Sequence, residues 1–394
     1  MATRALLIQL ARLGDLVQTI PAITALKEAH EDWIVDLLCP AHLEGVGRIL
    51  PGIAAVVPWD GAAWNQRARL VEKDLLPDPV AEADAALRRI VDEPYERAFV
   101  LNQHPRAILA GALLAQKSMG AVSGGPVDHT LSPWATYVRS VANERTNNRI
   151  HLADAFCGMC GVAPPKGMKP MQVPSSPLPS DLDVIGQSEG PWIGVLVGAG
   201  EQERRVPVTV WVRLIADCLA TLPGGRVVLI GGEQEQERAH GIQLSLPSSL
   251  LGRVWDTTGR LSLPELAVAL TRCQIVVGAD TGPLHLAAAV GTQVIGWYFA
   301  RARVHETGPY GPHHWIWQAK RGAGQGDELI SPHRWPIDET IALLGNRSVA
   351  SAPDWSLWES HQDRWGAYYV PAGHEPVAPL ERARIWNELH PTAV

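Results

Sequence analysis

The order of apolar runs and helical stretches along the chain predicts its fold class. Short apolar runs alternate with longer stretches whose apolar residues recur at helical spacing. Strands that alternate with helices of this length form βαβ units and parallel sheets. The strands predicted in the N-terminal half are Ala5–Leu10, Ile34–Leu38, Ala55–Pro58, Ala98–Asn102 and Gly120–Ser123. The helices predicted there are Leu16–Ala29, Leu43–Leu50, Val80–Val91 and Pro105–Lys117.

The alternation stops and then begins again. The stretch from Val162 to Asp183 is rich in Pro and Ser and has no periodicity, which is typical of a linker. The elements predicted after it are Trp192–Val197, Val208–Thr221, Arg226–Ile230, Leu263–Arg272, Gln274–Val277, Leu284–Val290 and Gln293–Trp297. We therefore predict two Rossmann-like, doubly wound α/β domains with parallel sheets, over residues 1–165 and 186–345, joined by a linker over 166–185.

Residues 346–394 form an aromatic-rich extension that we expect to pack back on the body of the protein. Its large aromatic residues would either pack in the interior or stack on a sugar, and they are Trp355, Trp358, Trp365, Tyr368 and Tyr369. Large aromatic side chains pack more often than they bind ligands.

Composition and charge narrow the class of protein. The chain has 394 residues, of which 46% are hydrophobic and 19% charged, as in a globular protein with a substantial core. The net charge of −7 disfavours nucleic acid as a partner. The N-terminal apolar run is interrupted by Gln9, Arg12 and Asp15, so we interpret it as a first strand rather than a signal peptide. We expect a cytoplasmic protein.

Metal and disulfide chemistry are not expected. Five cysteines are too few for a disulfide framework, and the Cys157-Gly-Met-Cys160 pair has no second pair with which to bind zinc. The D-x-D sequence of Asp181 and Asp183 lies in the linker and not at a strand end. The chain also has no P-loop, complete G-x-G-x-x-G, H-E-x-x-H or G-x-S-x-G sequence, which disfavours the corresponding enzyme classes.

The strand end "VGADTGPLHLAAAVGT" is the first candidate ligand site. Asp280 and Thr281 follow an apolar strand, and Gly282 and Pro283 open a helix that carries His285. Helix N-termini at the carboxyl ends of parallel strands bind phosphate. The alternative is an ordinary N-cap made by Asp280 or Thr281.

Two further strand ends carry charged residues. Arg12, Gly14 and Asp15 follow the first strand, where Asp15 would be either a general base or a favourable charge at a helix start. Arg204 and Arg205 precede the first predicted helix of the second domain. They would either bind an anionic group of a ligand or form a solvated pair that balances the charge of nearby glutamates.

One more carboxylate stands at a strand end of the second domain. Glu233 follows "VVLIGG", where an acidic side chain would bind ribose hydroxyls or simply lie exposed on a Glu-rich helix.

The sequence resembles the heptosyltransferase family. The motifs are "RLGDLVQTIPAITALKEAH", "ERRVP" and "TGRLSLPELAVALTRCQIVVGADTGPLHLAAAVGT", in order over about residues 1–340. The resemblance implies the GT-B fold, in which two Rossmann-like domains face each other across a cleft. It also implies metal-independent, inverting sugar transfer in lipopolysaccharide core assembly, with the acceptor on the first domain and the nucleotide-sugar on the second.

The resemblance also implies roles for single residues. Asp15 matches the catalytic base, with Arg12 and Gly14 on the acceptor side. Pro207 follows the phosphate-binding position of Arg204. The other positions matched to the donor site are Arg205, Glu233 (or Glu235), Asp280, Thr281, Gly282, Pro283 and His285. This chain departs from the family at Val206, where an aromatic residue is usual, and at Ala300-Arg301-Ala302-Arg303.

The expected reaction is transfer of a sugar, heptose from ADP-heptose by resemblance, to a hydroxyl of a glycan or glycolipid acceptor such as lipopolysaccharide core. No cofactor is expected, because the nucleotide-sugar is a substrate. Peripheral contact with the inner face of the cytoplasmic membrane is a further expectation. Two alternatives remain open, a nucleotide-sugar epimerase of the same fold and a non-catalytic glycan-binding member.

Overall fold

A computed structural model describes most of the chain. The described residues are 2–73, 78–88, 90–122, 128–142, 145, 148–168, 170–173, 178–187, 189–320, 334–349 and 352–390. The contacts within the chain divide it into two compact units. The first unit consists of Met1–Asn143, Leu152–Pro165 and Ala383–Val394, and the second of Glu144–His151 and Lys166–Arg382.

The first unit is built on a six-stranded sheet in which every pair of neighbouring strands is parallel. Its strands are β1 (Arg4–Ile8), β2 (Ile34–Pro40), β3 (Val56–Trp59), β4 (Tyr95–Val100), β5 (Ala115–Gly120) and β6 (Asp128–Leu131). The strand order β3-β2-β1-β4-β5-β6 is the doubly wound order of dinucleotide-binding folds. The helices are α1 (Leu13–Val17), α2 (Ile20–Ala29), α3 (Glu44–Gly47), α4 (Gly61–Glu72), α5 (Pro79–Arg88), α6 (Pro105–Leu114), α7 (Pro133–Val141) and α8 (Leu152–Met159).

The second unit repeats this order and extends it. Its strands are β7 (Trp192–Leu196), β8 (Arg226–Ile230), β9 (Val254–Asp256), β10 (Ile275–Ala279), β11 (Gln293–Tyr298), β12 (Trp315–Ala319), β13 (Trp355–Asp363) and β14 (Gly366–Pro371). The sheet order is β14-β13-β12-β11-β10-β7-β8-β9. The pairs from β9 to β12 are parallel, and β13 and β14 join as an antiparallel hairpin.

The helices of the second unit cover the faces of this sheet. They are α9 (Val208–Thr221), α10 (Gln236–Ser245), α11 (Ser248–Leu251), α12 (Leu263–Thr271), α13 (Gly282–Ala289), α14 (Val304–Thr307) and α15 (Ile337–Leu344). A last helix, α16 (Leu380–Leu389), begins in the second unit and ends in the first. In the core, the ring of Trp211 stacks on that of Trp297 with 5.0 Å between centroids, which joins α9 to β11.

The central strand pair of the second unit depends on a glycine. β10 lies beside β7, and Gly278 pairs with Leu196. A Cβ atom at Gly278 would lie 2.7 Å from the Cβ of Leu196, closer than side chains pack. Glycine in a strand interior often marks such a close approach. The two strand ends that flank the candidate donor site are thereby held close together.

Some predicted elements in the first unit are wrong in their bounds. The predicted helix Leu16–Ala29 is two helices, because the Thr19 hydroxyl donates to the Leu16 carbonyl oxygen at 2.6 Å where α1 ends. The predicted helix Pro105–Lys117 stops at Leu114, and the residues that follow form β5. The predicted strand from Gly120 therefore starts where β5 ends, and its last residue, Ser123, lies outside the described residues.

The aromatic extension contributes secondary structure of its own. Residues after Gly345 form β13, β14 and α16, so the segment adds two strands to the second sheet. Of its aromatic residues, Trp355 is buried beside Phe299 and Trp335. The sequence analysis assigned no strands to the extension, because its aromatic and charged residues follow no clear alternation.

The described residues of the linker form ion pairs with the second unit, and the two cysteines of the Cys157–Cys160 pair are buried. In the predicted linker, Arg260 pairs with Asp181, and Arg272 pairs with Asp183 at 2.9 Å. Linker residues 169 and 174–177 lie outside the described residues. Cys157 and Cys160 are buried, and burial raises the pKa of both thiols.

The described residues contain neither a candidate metal cluster nor a membrane-spanning helix. No group of three or more His, Cys, Asp and Glu side chains there could hold a metal ion. No helix in this part of the chain is long and apolar enough to cross a bilayer.

Candidate active site

The strand order of the second unit locates its candidate ligand site. The order reverses direction between β7 and β10, since β8 lies beyond one and β11 beyond the other. Open α/β sheets bind ligands at the carboxyl ends of the strands at such a point. The segment Gly198–Arg205 follows β7, and Asp280 and Thr281 follow β10. The sequence-predicted residues of two separate motifs therefore meet at one edge of the sheet.

Arg204, Asp280 and His285 form one connected group at this edge. Nη1 of Arg204 donates to the backbone carbonyl of Asp280 at 3.1 Å and to its carboxylate Oδ2 at 3.2 Å. The other carboxylate oxygen, Oδ1, lies 3.1 Å from Nε2 of His285. Nη2 of Arg204 also pairs with Glu201 at 3.2 Å. Arg204 thus joins the loop after β7 to the loop after β10.

The surroundings of Asp280 keep its carboxylate ionised. Burial alone would raise its pKa, but the hydrogen bond and charge of His285, with the charges of Arg204 and Arg145, lower the pKa below its ordinary value. A buried carboxylate that is held ionised by such partners is a fixed negative charge. Asp280 can therefore accept hydrogen bonds from sugar hydroxyls at neutral pH.

Thr281 does not cap its helix through its side chain. It is the N-cap residue of α13, with φ −144° and ψ 161°, yet its hydroxyl makes no capping hydrogen bond. Its Oγ1 is buried and has no hydrogen-bond partner among the described residues. Thr281 is therefore the N-cap by position, as the alternative interpretation stated, but not through a side-chain hydrogen bond, and the Asp280 carboxylate contacts Arg204 and His285.

The first turn of α13 adds a dipole to this hydroxyl. Gly282 and Pro283 form the first two helical positions, where proline is favoured because an N–H there has no partner within the helix. The helix then continues with the buried residues Leu284 and His285. A helix start of this kind, beside an unsatisfied hydroxyl, suits the oxygen atoms of a phosphate group.

Two more arginines lie at the end of β7. Arg205 is exposed and donates through Nε to the Ala199 carbonyl at 3.3 Å. Arg238, on α10, donates through Nε to the Val197 carbonyl at 2.7 Å. Burial, with the charge of Arg205, lowers the pKa of Arg238. Sequence reasoning missed Arg238, which stands in a Glu-rich run beside the buried residue Ala239.

The side chain of Glu235 reaches the end of β7. Glu233 is exposed at the start of a short 3-10 turn. The Glu235 carboxylate accepts the N–H of Gly232 at 2.9 Å, and its side chain lies over Gly198, where a Cβ atom would overlap it. Of the two glutamates named for the nucleoside, Glu235 lies at the strand-order reversal.

The loop of residues 300–303, which departs from the family pattern, is held by hydrogen bonds within the loop. Arg303 is buried and donates to the carbonyl oxygens of Ala300 at 2.8 Å and Ala302 at 2.9 Å. Ala300 has φ +52°, in the left-handed region. The arginine therefore holds a turn that alanine alone would adopt at a cost.

In the first unit, Asp15 lies at the corresponding point of the sheet. The strand order reverses between β1 and β4, and Asp15 belongs to α1, which follows β1. Its Oδ2 accepts the N–H of Arg12 at 3.3 Å across the start of the helix, and Gly14 lies between them. The geometry includes the helix-start interaction that the sequence suggested, and Asp15 is half-buried.

The loop after β4 is the neighbour that sequence reasoning missed. The Leu101 N–H donates to the Ile8 carbonyl, which places the end of β4 beside the end of β1. Asn102, Gln103 and His104 follow it, and Gln103 donates to the Ala135 carbonyl at 2.7 Å. Three polar residues directly after an apolar strand were the signal for this loop.

Comparison with known proteins gave consistent matches. Residues 89–327 match the model of a family described as glycosyltransferase family 9 (heptosyltransferase). The chain is 23% identical over 304 residues to lipopolysaccharide heptosyltransferase 1 of Salmonella typhimurium strain LT2, covering 73% of this chain and 85% of that protein.

Two solved structures share the fold. The structure of E. coli heptosyltransferase WaaC with ADP has a TM-score of 0.64 at 17% identity and covers 88% of this chain and 100% of its own. That of E. coli ADP-heptose lps heptosyltransferase II has a TM-score of 0.62 at 16% identity and covers 87% and 98%. Both the matches and the two parallel α/β sheets agree with the predicted GT-B fold class.

Proposed function

Because the chain belongs to glycosyltransferase family 9, the heptosyltransferase family, we propose that it transfers heptose from ADP-heptose to a hydroxyl of the lipopolysaccharide core with inversion at the anomeric carbon. The enzyme class, a glycosyltransferase, follows from the family. The donor is supported by the names of the similar structures, one with ADP and one of an ADP-heptose enzyme. The acceptor is supported by the Salmonella relative, a lipopolysaccharide heptosyltransferase.

The observation that carries the proposal is the group formed by Arg204, Asp280 and His285 beside the unsatisfied hydroxyl of Thr281. It lies where an open α/β sheet binds nucleotides. It combines an ionised acceptor for sugar hydroxyls with donors for a diphosphate. A site that only completed a helix start would not leave the Thr281 hydroxyl buried without a partner.

The reaction is a single displacement. The acceptor hydroxyl oxygen forms a bond to the anomeric carbon from the face opposite the diphosphate, and the bond from that carbon to the diphosphate oxygen breaks. The electron pair leaves with ADP, and the hydroxyl proton passes to the carboxylate of Asp15, the proposed general base. No covalent intermediate with the enzyme is needed.

Charge on the departing diphosphate is the main electrostatic demand of this reaction. The proposed donors to it are the Thr281 hydroxyl, the backbone at Gly282 and the exposed guanidinium of Arg205. Arg204 contributes a positive charge while it holds Asp280, which orients the donor sugar. Preorganised groups of this kind are usually the largest single contribution to catalysis.

Thermal unfolding with a panel of nucleotide-sugars tests the donor. ADP-heptose should stabilise the protein more than ADP-glucose, UDP-glucose or GDP-mannose at equal concentration. A ligand at 100 times its dissociation constant contributes about 2.7 kcal/mol to the free energy of unfolding. Stabilisation by UDP-glucose or GDP-mannose instead would contradict the proposed donor.

Product analysis tests the reaction class. Incubation with ADP-heptose and lipopolysaccharide lacking heptose should yield ADP and an extended glycan. The new glycosidic bond should have the anomeric configuration opposite to that of the donor. A change in the donor sugar alone would indicate an epimerase. Binding of donor without either product would indicate a non-catalytic member.

A further inference from the structure

The second unit has a pocket of about 420 Å³ beside the edge strand β14. Its lining includes Arg149, His305, Trp358, Tyr368, Tyr369 and Arg382. Pockets of roughly 300–1,000 Å³ hold small ligands. The volume is sufficient for a ligand of one or two sugar rings.

Aromatic rings from three elements form the walls. The rings of His305 and Trp358 meet edge to face at 4.8 Å between centroids, and His305 meets Tyr369 at 6.0 Å in the same manner. Tyr368 and Tyr369 are fixed through their hydroxyls, which donate to the carbonyl oxygens of Pro376 and Pro309. These rings are therefore held in place before any ligand enters.

The polar groups in this pocket have hydrogen-bonding capacity that the described residues do not use. The indole N–H of Trp358 and the Nε of Arg382 are buried and have no partner there. Burial lowers the pKa of His305 to about 4, so its imidazole is neutral at physiological pH and offers one donor and one acceptor. An apolar wall with a few donors and acceptors suits a polyhydroxylated ring.

The charges around the pocket are balanced. Arg382 binds the carboxylate of Asp363 through both terminal nitrogens at 3.1 Å. Arg149 pairs with Glu381 at 3.2 Å. Because each guanidinium already has a carboxylate partner, an anionic ligand would have to displace an existing ion pair. The pocket therefore favours an uncharged ligand.

We propose that this pocket binds a neutral pyranose of the acceptor glycan, at a residue other than the one that carries the reacting hydroxyl. One face of such a ring carries C–H groups that pack on Trp358, and its hydroxyls pair with His305 and the indole N–H. The identification of the ligand as part of the acceptor rests on the proposed function. The pocket lies in the hairpin that the sequence analysis marked as an aromatic extension.

Saturation-transfer NMR with four glycosides tests the proposal on the full-length protein. The probes are the methyl glycosides of mannose, glucose and L-glycero-D-manno-heptose, which are neutral, and that of 3-deoxy-manno-octulosonic acid, which carries a carboxylate. A neutral glycoside should show saturation of its ring C–H protons. The Trp358→Ala protein should bind that glycoside about tenfold more weakly, as expected when a central aromatic contact is removed.

Trp365 provides the matched control. It lies in the turn of the same hairpin and does not line the pocket. Trp365→Ala should therefore bind the glycoside as the unchanged protein does. Trp358→Phe keeps an aromatic face and should retain most of the binding, which separates loss of the contact from loss of the hairpin's fold.

Each other outcome contradicts the proposal. No response from any neutral glycoside, a response from the carboxylated one alone, or equal loss in the two tryptophan-to-alanine proteins would overturn it. Stabilisation of both proteins by ADP-heptose is measured in parallel. Failure of that stabilisation would contradict the proposed function, whereas loss of glycoside binding with donor stabilisation retained concerns the pocket alone.

Discussion

The guanidinium of Arg204 donates to both the backbone carbonyl and the carboxylate of Asp280, a residue 76 positions further along the chain. The side chains are 18% and 10% exposed, so the pair is largely shielded from water. The bridge holds two strand-end loops in one arrangement. Arg204, which the sequence suggested as a diphosphate ligand, therefore also supports Asp280, the residue proposed to orient the sugar.

The first prediction concerns the energetic coupling of this pair. Arg204→Ala should weaken ADP binding by roughly 1.5–3 kcal/mol, because a charge-assisted contact is lost and Asp280 is no longer held. Asp280→Asn in the same background should add less than it does alone, with a coupling energy of about 0.5–3 kcal/mol. Isothermal titration of ADP into the two single variants and the double variant measures this coupling.

Arg213 is the control for that cycle. It is an exposed arginine of the second unit that pairs with Asp217 and Asp338. Arg213→Ala should leave ADP affinity unchanged. Additive effects of Arg204→Ala and Asp280→Asn would show that the bridge has no role in binding.

The second prediction is that replacing Thr281 changes stability and ligand affinity in opposite directions. Thr281→Val removes a buried hydroxyl without a partner, so the unliganded protein should be equally stable or up to about 1 kcal/mol more stable to urea. Affinity for ADP should fall about tenfold, because the hydroxyl is the proposed donor to the diphosphate. Urea unfolding and ADP titration on one preparation measure both effects.

Thr292 is the control in the same unit, because its hydroxyl has a hydrogen-bond partner in the protein. Its buried hydroxyl donates to the Leu270 carbonyl at 2.7 Å. Thr292→Val should therefore cost about 1 kcal/mol of stability and leave ADP affinity unchanged. If Thr281→Val behaved in the same way, its hydroxyl would have a structural partner and not a ligand.

The third prediction concerns Asp15. Asp15→Asn keeps the side chain's shape and its ability to accept the Arg12 N–H but cannot take a proton. Transfer should fall by a factor of about 10²–10⁴, the usual contribution of a positioned general base. Donor affinity should stay constant, since the lost interaction exists only in the transition state. Single-turnover transfer assays and titration of ADP-heptose without acceptor separate the two quantities.

Asp60 tests whether such a loss reflects only a helix start. Its carboxylate accepts the N–H of Ala63 at the beginning of α4 in the same unit. Asp60→Asn should retain full activity because asparagine is an equally good cap. Near-normal transfer by Asp15→Asn would leave Asp15 with the same structural role as Asp60.

The fourth prediction concerns acid stability. Burial lowers the pKa of His151 from 6.5 to about 3, and its Nε2–H donates to the Gly308 carbonyl at 2.8 Å. Below pH 6.5 the unfolded chain binds a proton that the folded protein does not, so stability falls as the pH falls. The contribution of this histidine should be about 2 kcal/mol smaller at pH 5 than at pH 7.

His151→Gln should remove that part of the pH dependence, because glutamine can donate the hydrogen bond and does not titrate. The free energy of unfolding from urea titrations at pH 7 and pH 5 gives the change. His374, which is exposed, is the control, and His374→Gln should keep the slope of the unchanged protein. An equal slope in the protein with His151→Gln would contradict the assignment.

The sequence predicted the central strands of the two sheets better than the outer ones. The buried strands β1, β7 and β10 are continuous apolar runs, which is the pattern of a parallel sheet covered on both faces. β5 and β6 were missed, because they are polar and short, and their register depends on neighbours rather than on their own pattern. The hairpin of β13 and β14 was missed for a similar reason.

The sequence predicted single candidate residues at separate strand ends but not the contacts between them. Strand-end positions identified Arg204 and Asp280, since the ends of parallel strands share one edge of a sheet, and they identified Asp15 separately in the first unit. Two features depend on side-chain contacts across the sheet. They are the bridge from Arg204 to Asp280 and the position of the Glu235 side chain over Gly198 at the end of β7. Local spacing in a single sequence does not encode such contacts.

The division of the first unit into three segments has a consequence for synthesis on the ribosome. Trp134 is buried, and its ring lies 4.2 Å from that of Trp386 on α16, centroid to centroid. The whole continuous part of the second unit, Lys166–Arg382, emerges between these two tryptophans. We therefore expect the face of Trp134 that contacts Trp386 to stay uncovered in the nascent first unit until α16 has been translated.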